Sequence, residues 1–289
     1  MRVGVIDIGT NSTRLLVADV EDGRLVELER RTAITRLGQG VDATGRLAEE
    51  AMDRVANAVA DYREVIDRLS ADRVVAVATS AVRDAENGTA FRELLQERFD
   101  VDARTISGDE EARLTFLGAT AGRKDADGDT VVIDIGGGST EYVAGSPAEP
   151  PRFHTSTQMG GVRHTERFLH TDPPTHEELD TLATDVRATV PDLTTTRAFA
   201  VGGTATSIAA IDGAEEVHGH LVSLARCEEI TAMLAALPVT ERRDVEGLHP
   251  DRAPTIVAGA VILAESLRTL GLAEVEISDR DILHGAATL

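Results

Sequence analysis

The sequence predicts an α/β protein of two domains built on one plan, and three observations carry that reading. First, Val5-Ile6-Asp7-Ile8-Gly9-Thr10-Asn11-Ser12-Thr13 returns as Val132-Ile133-Asp134-Ile135-Gly136-Gly137-Gly138-Ser139-Thr140. Aligned without gaps, Val, Ile, Asp, Ile, Gly, Ser and Thr coincide; only the middle of the turn and the residue after the motif differ. Second, each copy leads into another apolar strand, so the turn joins a hairpin and is not the strand-to-helix loop of a dinucleotide-binding fold. Third, helical periodicities alternate with short apolar runs along the rest of the chain. At 289 residues there is length for two cores.

Taken in order, Val3-Gly4-Val5-Ile6 opens the first strand, and Arg14 to Val20 is the second. A polar, Gly-bearing stretch runs from Thr35 to Gly45. Met52, Val55, Val59, Tyr62, Ile66 and Leu69 then recur at three- and four-residue steps, the signature of an amphipathic helix. Arg73 to Thr79 is a buried strand, Thr89 to Phe99 a helix, and Val101 to Ile106 a strand. Ser107-Gly108-Asp109-Glu110 has the spacing of a capping box, which predicts a helix from Ser107 through Leu117 with Glu110 folded back on its start. Gly122 to Asp129 is the expected domain boundary. Beyond it the hairpin recurs over Val132 to Ala144, and Pro147-Ala148-Glu149-Pro150-Pro151 breaks the chain. Helices follow over Gly161 to Leu169 and Thr175 to Thr189. Arg197 to Val201 is a strand running into Gly202-Gly203-Thr204 and a small-residue helix. The helix Pro254 to Leu270, the strand Glu274 to Ser278 and a terminal helix from Asp279 complete the chain.

The net charge is -21 and Lys124 is the only lysine, so positive charge is almost all arginine. This excludes nucleic-acid wrapping as the first reading. A protein of this charge that binds a polyanion must gather its arginines near the site. The acidic excess is also what a salt-adapted cytoplasm selects. Cys227 is alone, so neither a disulfide framework nor a cysteine-rich metal site is available. No signal-peptide pattern precedes the first strand, and the apolar run Ala253 to Ala264 is too short to cross a bilayer. The expectation is a soluble cytoplasmic protein without a membrane partner.

Each Asp-containing turn offers backbone N–H groups and hydroxyls that can surround phosphate oxygens. Two such turns facing one another would clamp a polyphosphate. Asp7 and Asp134 would repel phosphate unless a cation intervened, and Mg²⁺ prefers carboxylate, water and phosphate oxygens. His218-Gly219-His220 lacks further ligands at recognised spacing and is given no metal role.

Five motifs in order resemble the exopolyphosphatase/guanosine pentaphosphate phosphohydrolase family, within the sugar kinase, heat-shock ATPase and actin superfamily. They are Asp7-Ile8-Gly9-Thr10-Asn11-Ser12, Thr79-Ser80-Ala81-Val82-Arg83-Asp84-Ala85, Ser107-Gly108-Asp109-Glu110-Glu111-Ala112-Arg113-Leu114, Ile133-Asp134-Ile135-Gly136-Gly137-Gly138-Ser139-Thr140-Glu141 and Ser278-Asp279-Arg280. The resemblance covers essentially the whole length and corresponds to a short form without the C-terminal helical extension of longer relatives. It implies two ribonuclease-H-like domains, 1–123 with 279–289 and 124–278, flanking a cleft.

The resemblance further implies hydrolysis of the terminal phosphate of inorganic polyphosphate, with short chains preferred, or of guanosine pentaphosphate. Glu111 would activate water, while Asp134 and Glu141 would form the acidic set beside the metal. Metal ligands would be Asp7, Asp134 and Glu141, with Mg²⁺ or Mn²⁺ as the ion. Phosphate would be held by Gly9, Thr10, Asn11, Ser12, Arg83, Gly136, Gly137, Gly138, Ser139, Thr140 and Arg163. Gly202-Gly203-Thr204 resembles the adenosine-contacting turn of the superfamily's kinases, which leaves an ATP-dependent kinase or a non-catalytic polyphosphate-binding regulator as other classes. Homodimerisation is expected by family analogy.

Overall fold

The computed structural model of the chain describes residues 1–21, 24–121, 130–146 and 151–289. The expected boundary at Gly122 to Asp129, and most of the Pro147 to Pro151 breaker, lie outside the described residues. By internal packing the chain divides into two units, Met1–Gly118 with Ile282–Leu289, and Ala119–Asp281.

The first unit contains β1 (Arg2–Ile8), β2 (Ser12–Glu21), β3 (Arg24–Ile34), α1 (Val41–Thr44), α2 (Glu49–Arg68), β4 (Arg73–Ala78), α3 (Ser80–Asp84), α4 (Gly88–Phe99), β5 (Ala103–Thr105) and α5 (Gly108–Thr120). Its sheet runs β3-β2-β1-β4-β5, antiparallel across the first three strands and parallel across β1, β4 and β5. β1 lies at the centre and is apolar on both faces. Ile6 and Ile8 pack with Leu15, Val17 and the α2 stripe of Val55, Val59, Tyr62 and Ile66, whereas Val3 and Val5 pack with Leu16, Ala18 and Leu114. The alternation is the two-residue period of a strand. Tyr62 Oη donates to Thr13 O at 2.8 Å and pins α2 to the start of β2. Burial pushes its phenol up to about 12.

The second unit contains β6 (Thr130–Ile135), β7 (Thr140–Gly145), β8 (Phe153–Thr157), α6 (Gly161–Phe168), α7 (His176–Thr189), β9 (Arg197–Val201), α8 (Gly202–Ile211), β10 (Leu221–Ser223), α9 (Leu224–Ala236), α10 (Val239–Arg242), α11 (Ile256–Thr269) and β11 (Glu274–Ile277). Its sheet order β10-β11-β9-β6-β7-β8, read from the β8 edge, repeats the order of the first sheet, with β10 added antiparallel to β11. Both sheets are therefore ribonuclease-H-like. Every residue of α11 from Ile256 to Leu267 is buried. Ser266 on that helix meets Tyr142 Oη at 2.6 Å, which explains how a wholly buried tyrosine is tolerated. Among the described residues no helix is long and apolar enough to cross a membrane.

The last helix, α12 (Ile282–Ala286), starts three residues later than the sequence predicts. Ile282, Leu283, Ala286 and Ala287 join the Val3, Val5 and Leu16 cluster of the first unit. β3 and α9 were not anticipated from the sequence. β3 is an edge strand rich in charge, with Val26 and Leu28 exposed, so alternation is blurred. α9 does show its apolar face, through Cys227, Ile230 and Leu234.

Candidate active site

Each β-hairpin ends in its Asp-containing turn, and both turns are built alike. In the first, Gly9 N–H donates to Ser12 O at 3.0 Å; in the second, Gly136 N–H donates to Ser139 O at 3.0 Å. A later segment then occupies the turn carbonyls. Asn11 O accepts from Thr35 N (3.0 Å) and Arg36 N (2.9 Å), and Thr10 O accepts from Gly38 N at 2.8 Å. In the second unit Gly136 O accepts from Gly161 N (2.9 Å), and Gly137 O accepts from Val162 N (2.8 Å) and Arg163 N (3.1 Å). Gly138 O accepts from Arg163 Nε at 2.8 Å. With those carbonyls taken, the N–H groups of Thr10, Asn11, Gly137 and Gly138 have no acceptor among the described residues. Unpaired backbone donors on a tight turn form an anion-binding concavity.

The backing segments come close enough to require glycine. A Cβ on Gly38 would overlap Thr10, and one on Gly160 would overlap Gly137 and lie 2.5 Å from Gly138 N. The threonine that ends each motif anchors the same contact. Thr13 Oγ1 meets Thr35 Oγ1 at 3.0 Å, and Thr140 Oγ1 donates to Met159 O at 2.8 Å. The Thr140 hydroxyl is fully buried and donates to the backbone, so it helps to shape the turn. Thr10 is likewise buried, with Oγ1 2.7 Å from Ser80 Oγ at the head of α3. Asn11 Oδ1 is buried without a hydrogen-bond partner among the described residues.

The two aspartates differ in what stands opposite them. Asp7 faces Arg14 across the β1–β2 ladder, and Arg14 Nε and Nη2 reach Asp7 Oδ2 at 2.9 and 2.6 Å. Both side chains are largely buried, so the charge of Asp7 is balanced within the protein. Asp134 instead faces Glu141 across the β6–β7 ladder. Asp134 is 8% and Glu141 1% exposed, and Glu141 Oε1 accepts from Ser156 Oγ at 2.7 Å. Asp134 and Glu141 together present carboxylate oxygens that could hold a divalent cation.

No group of three His, Cys, Asp or Glu side chains is poised for a metal among the described residues. That donor set fits Mg²⁺, which binds through one or two carboxylates and takes its other oxygens from water and phosphate. Asp7 gives Oδ2 to Arg14, while its Oδ1 is buried with no hydrogen-bond partner among the described residues.

Glu111 sits in the first turn of α5, where the helix N-terminus favours a carboxylate. It is 8% exposed, and Arg83 Nη1 donates to its Oε2 at 3.1 Å and to Ile106 O at 3.0 Å. The arginine and the glutamate singled out separately in the sequence are thus one ion pair. The predicted capping box forms by half. Ser107 Oγ accepts from Glu110 N at 3.1 Å, but the Glu110 carboxylate turns to Arg104 Nη2 at 2.6 Å instead of returning to the helix start. A cation beside the helix outcompetes a neutral N–H.

Arg252 was passed over in the sequence. The Pro250–Arg252 turn sets its guanidinium where a side chain on Gly203 would be, at the head of α8. Asp134 Oδ1 lies beside the same helix start, 2.7 Å from the position of a Cβ on Gly202. His218 and His220 face different acids, Asp279 at 2.9 Å and Asp212 at 2.8 Å.

The chain matches the Ppx/GppA phosphatase family over residues 16–287. Exopolyphosphatase 2 of Mycobacterium tuberculosis is 38% identical over 312 aligned residues, covering 99% of this chain and 97% of that protein. Exopolyphosphatase 1 of Mycobacterium bovis is 30% identical over 295, covering 96% and 84%. Among solved structures, an exopolyphosphatase from Cytophaga hutchinsonii superposes with a TM-score of 0.91 at 26% identity, covering 99% of this chain and 96% of that one. The Aquifex aeolicus member of the Ppx/GppA family gives 0.82 at 31%, covering 99% and 95%.

Proposed function

The chain belongs to the Ppx/GppA phosphatase family and is a phosphohydrolase, and from that premise we propose that it is an exopolyphosphatase releasing the terminal phosphate of inorganic polyphosphate. The observation that carries the proposal is the duplicated turn whose carbonyls are occupied and whose N–H groups are left for an anion. In this reading the N–H groups of each turn, Thr10 and Asn11 in the first unit and Gly137 and Gly138 in the second, hold phosphoryl oxygens, and such dipoles favour the charge that spreads over phosphoryl oxygens during transfer. Glu111 Oε1 or Oε2 accepts the proton of the attacking water, and Arg83 fixes the carboxylate for that task. Arg163, tied to the Gly138 carbonyl, keeps positive charge beside the second turn. Asp134 and Glu141 would hold Mg²⁺, which when bound supplies charge neutralisation to phosphate oxygens.

The test is phosphate release by the purified protein, measured side by side on tripolyphosphate, long-chain polyphosphate and guanosine pentaphosphate, with Mg²⁺, Mn²⁺ and chelator. Release from polyphosphate that stops with chelator is the expected result, and the same series reads out the preference for short chains. Turnover of guanosine pentaphosphate alone would move the assignment to the family's other reaction. Binding without release from any of the three would replace the enzyme by a polyphosphate-binding regulator.

A further inference from the structure

The α6 start that occupies the second turn's carbonyls is itself held from behind by a buried imidazole. His164 is 1% exposed. Its Nδ1 accepts from Gly160 N at 3.4 Å, and its Nε2 lies 3.1 Å from Asp185 Oδ2 on α7. An Nδ1 that accepts from an N–H carries no proton, so the ring's single proton is on Nε2 and points at Asp185. Gly160 is the residue whose backbone presses on Gly137 and Gly138 so closely that no Cβ fits. A continuous path therefore runs from Asp185 through His164 and Gly160 to the turn that offers its N–H groups to phosphate.

We propose that His164, oriented by Asp185, is a positioning residue for the second phosphate turn, and that adding a second proton to its ring weakens polyphosphate binding. The inference rests on the reading of that turn as a phosphate site. Protonation would put an N–H on Nδ1 facing the Gly160 N–H, turning an acceptor into a repelling donor. Relief requires the ring or Gly160 to shift, and Gly160 is packed against Gly137 and Gly138.

The surroundings make the neutral ring the resting state. Burial is the main cause that holds the imidazole below its ordinary range, opposed by Asp185 and aided by Arg167 and Arg163 on its own helix. The Phe168 ring, 5.3 Å away, adds no charge. The charged residues of α11, which packs on α6, are Glu265 and Arg268, and these pair with Arg187, Glu228 and each other. The neutral, binding-competent form thus predominates at neutral pH and gives way only on acidification below the ordinary imidazole range.

The experiment measures KM and kcat for tripolyphosphate, and its calorimetric affinity, from pH 5 to 8 for wild type, His164→Asn and His164→Leu. Asn can present an oxygen to Gly160 N but cannot titrate; Leu keeps apolar volume and offers no acceptor. Wild type should lose affinity as pH falls while kcat changes less. His164→Leu should bind about fivefold more weakly at pH 7.5, the worth of one neutral hydrogen bond, and show no further loss in acid. His164→Asn should bind like wild type at pH 7.5 and stay flat in acid. A rise in KM on acidification that is the same in wild type and both variants would overturn the inference. Thermal melts accompany each variant; if His164→Leu does not fold, the flat or sloping profile of His164→Asn decides. Failure of wild type to bind tripolyphosphate at any pH would instead sink the phosphate-site reading, and the inference with it.

Discussion

Replacing Glu111 by Gln is the sharpest perturbation, because it changes charge and proton affinity while keeping shape. The amide oxygen can still accept from Arg83 Nη1, now 3.1 Å from Oε2, and Arg83 keeps its bond to Ile106 O at 3.0 Å. The arginine therefore stays satisfied and the start of α5 stays in place. A charge-assisted bond becomes an ordinary one, a loss of about 1 kcal/mol, or roughly 2 °C in Tm for a chain of this size. The chemical cost is larger. A positioned base contributes about 10²- to 10⁴-fold, which at about 1.36 kcal/mol per decade is about 2.7 to 5.4 kcal/mol of barrier. The assay is single-turnover phosphate release from tripolyphosphate beside calorimetric binding of the same ligand. Binding within about threefold of wild type and a kcat lowered at least 100-fold are expected. A kcat within tenfold of wild type refutes the base assignment, and parallel loss of binding and turnover would show that Glu111 serves the fold of the site instead.

Three further outcomes are expected. Gly160→Ala forces a methyl into Gly137 and Gly138, so stability should fall by about 1 to 3 kcal/mol in urea and tripolyphosphate affinity by at least tenfold; a variant that binds normally would show that the turn tolerates displacement. Arg242 is 2% exposed and donates to Leu234 O at 2.9 Å, Leu237 O at 2.6 Å and Ala253 O at 2.8 Å, so Arg242→Met removes three hydrogen bonds and should cost about 3 kcal/mol, read from the urea midpoint. With a net charge of -21, raising salt from about 0.1 to 1 M, which shortens the screening length from about 10 to 3 Å, should raise Tm; a fall would remove self-repulsion as a significant term.

The parts of the site that were legible in the sequence are those whose chemistry is local. The two turns announce themselves because strand, Asp, Gly and hydroxyl residues recur in one order within nine positions. That Arg14 follows the first motif where Glu141 follows the second was also readable. What the sequence hid are contacts between distant stretches. Nothing in Thr35 to Gly38 or Gly160 to Arg163 marks them as the donors that fill the turn carbonyls, because backbone N–H groups carry no residue signature. The Arg83–Glu111 pair spans 28 positions, and neither residue's neighbours specify the other. β3 escaped because an edge strand needs only one apolar face, and its charged stretch reads as loop.

The return of the chain to its starting unit imposes an order on folding. The core around Val3, Val5 and Leu16 is incomplete until Ile282, Leu283 and Ala286 arrive. Burying Ile282 and Leu283 alone is worth about 3 to 6 kcal/mol, a large share of the net stability of an ordinary domain. During synthesis the residues of the second unit have all been made before that segment exists, so the second unit can settle while the first still lacks its last piece. Once settled, it shortens the loop that the termini must close, and the closing entropy falls accordingly. The unit that holds Val3, Val5 and Leu16 is thus finished last, and it reaches full stability only after residues 119–281 have been made.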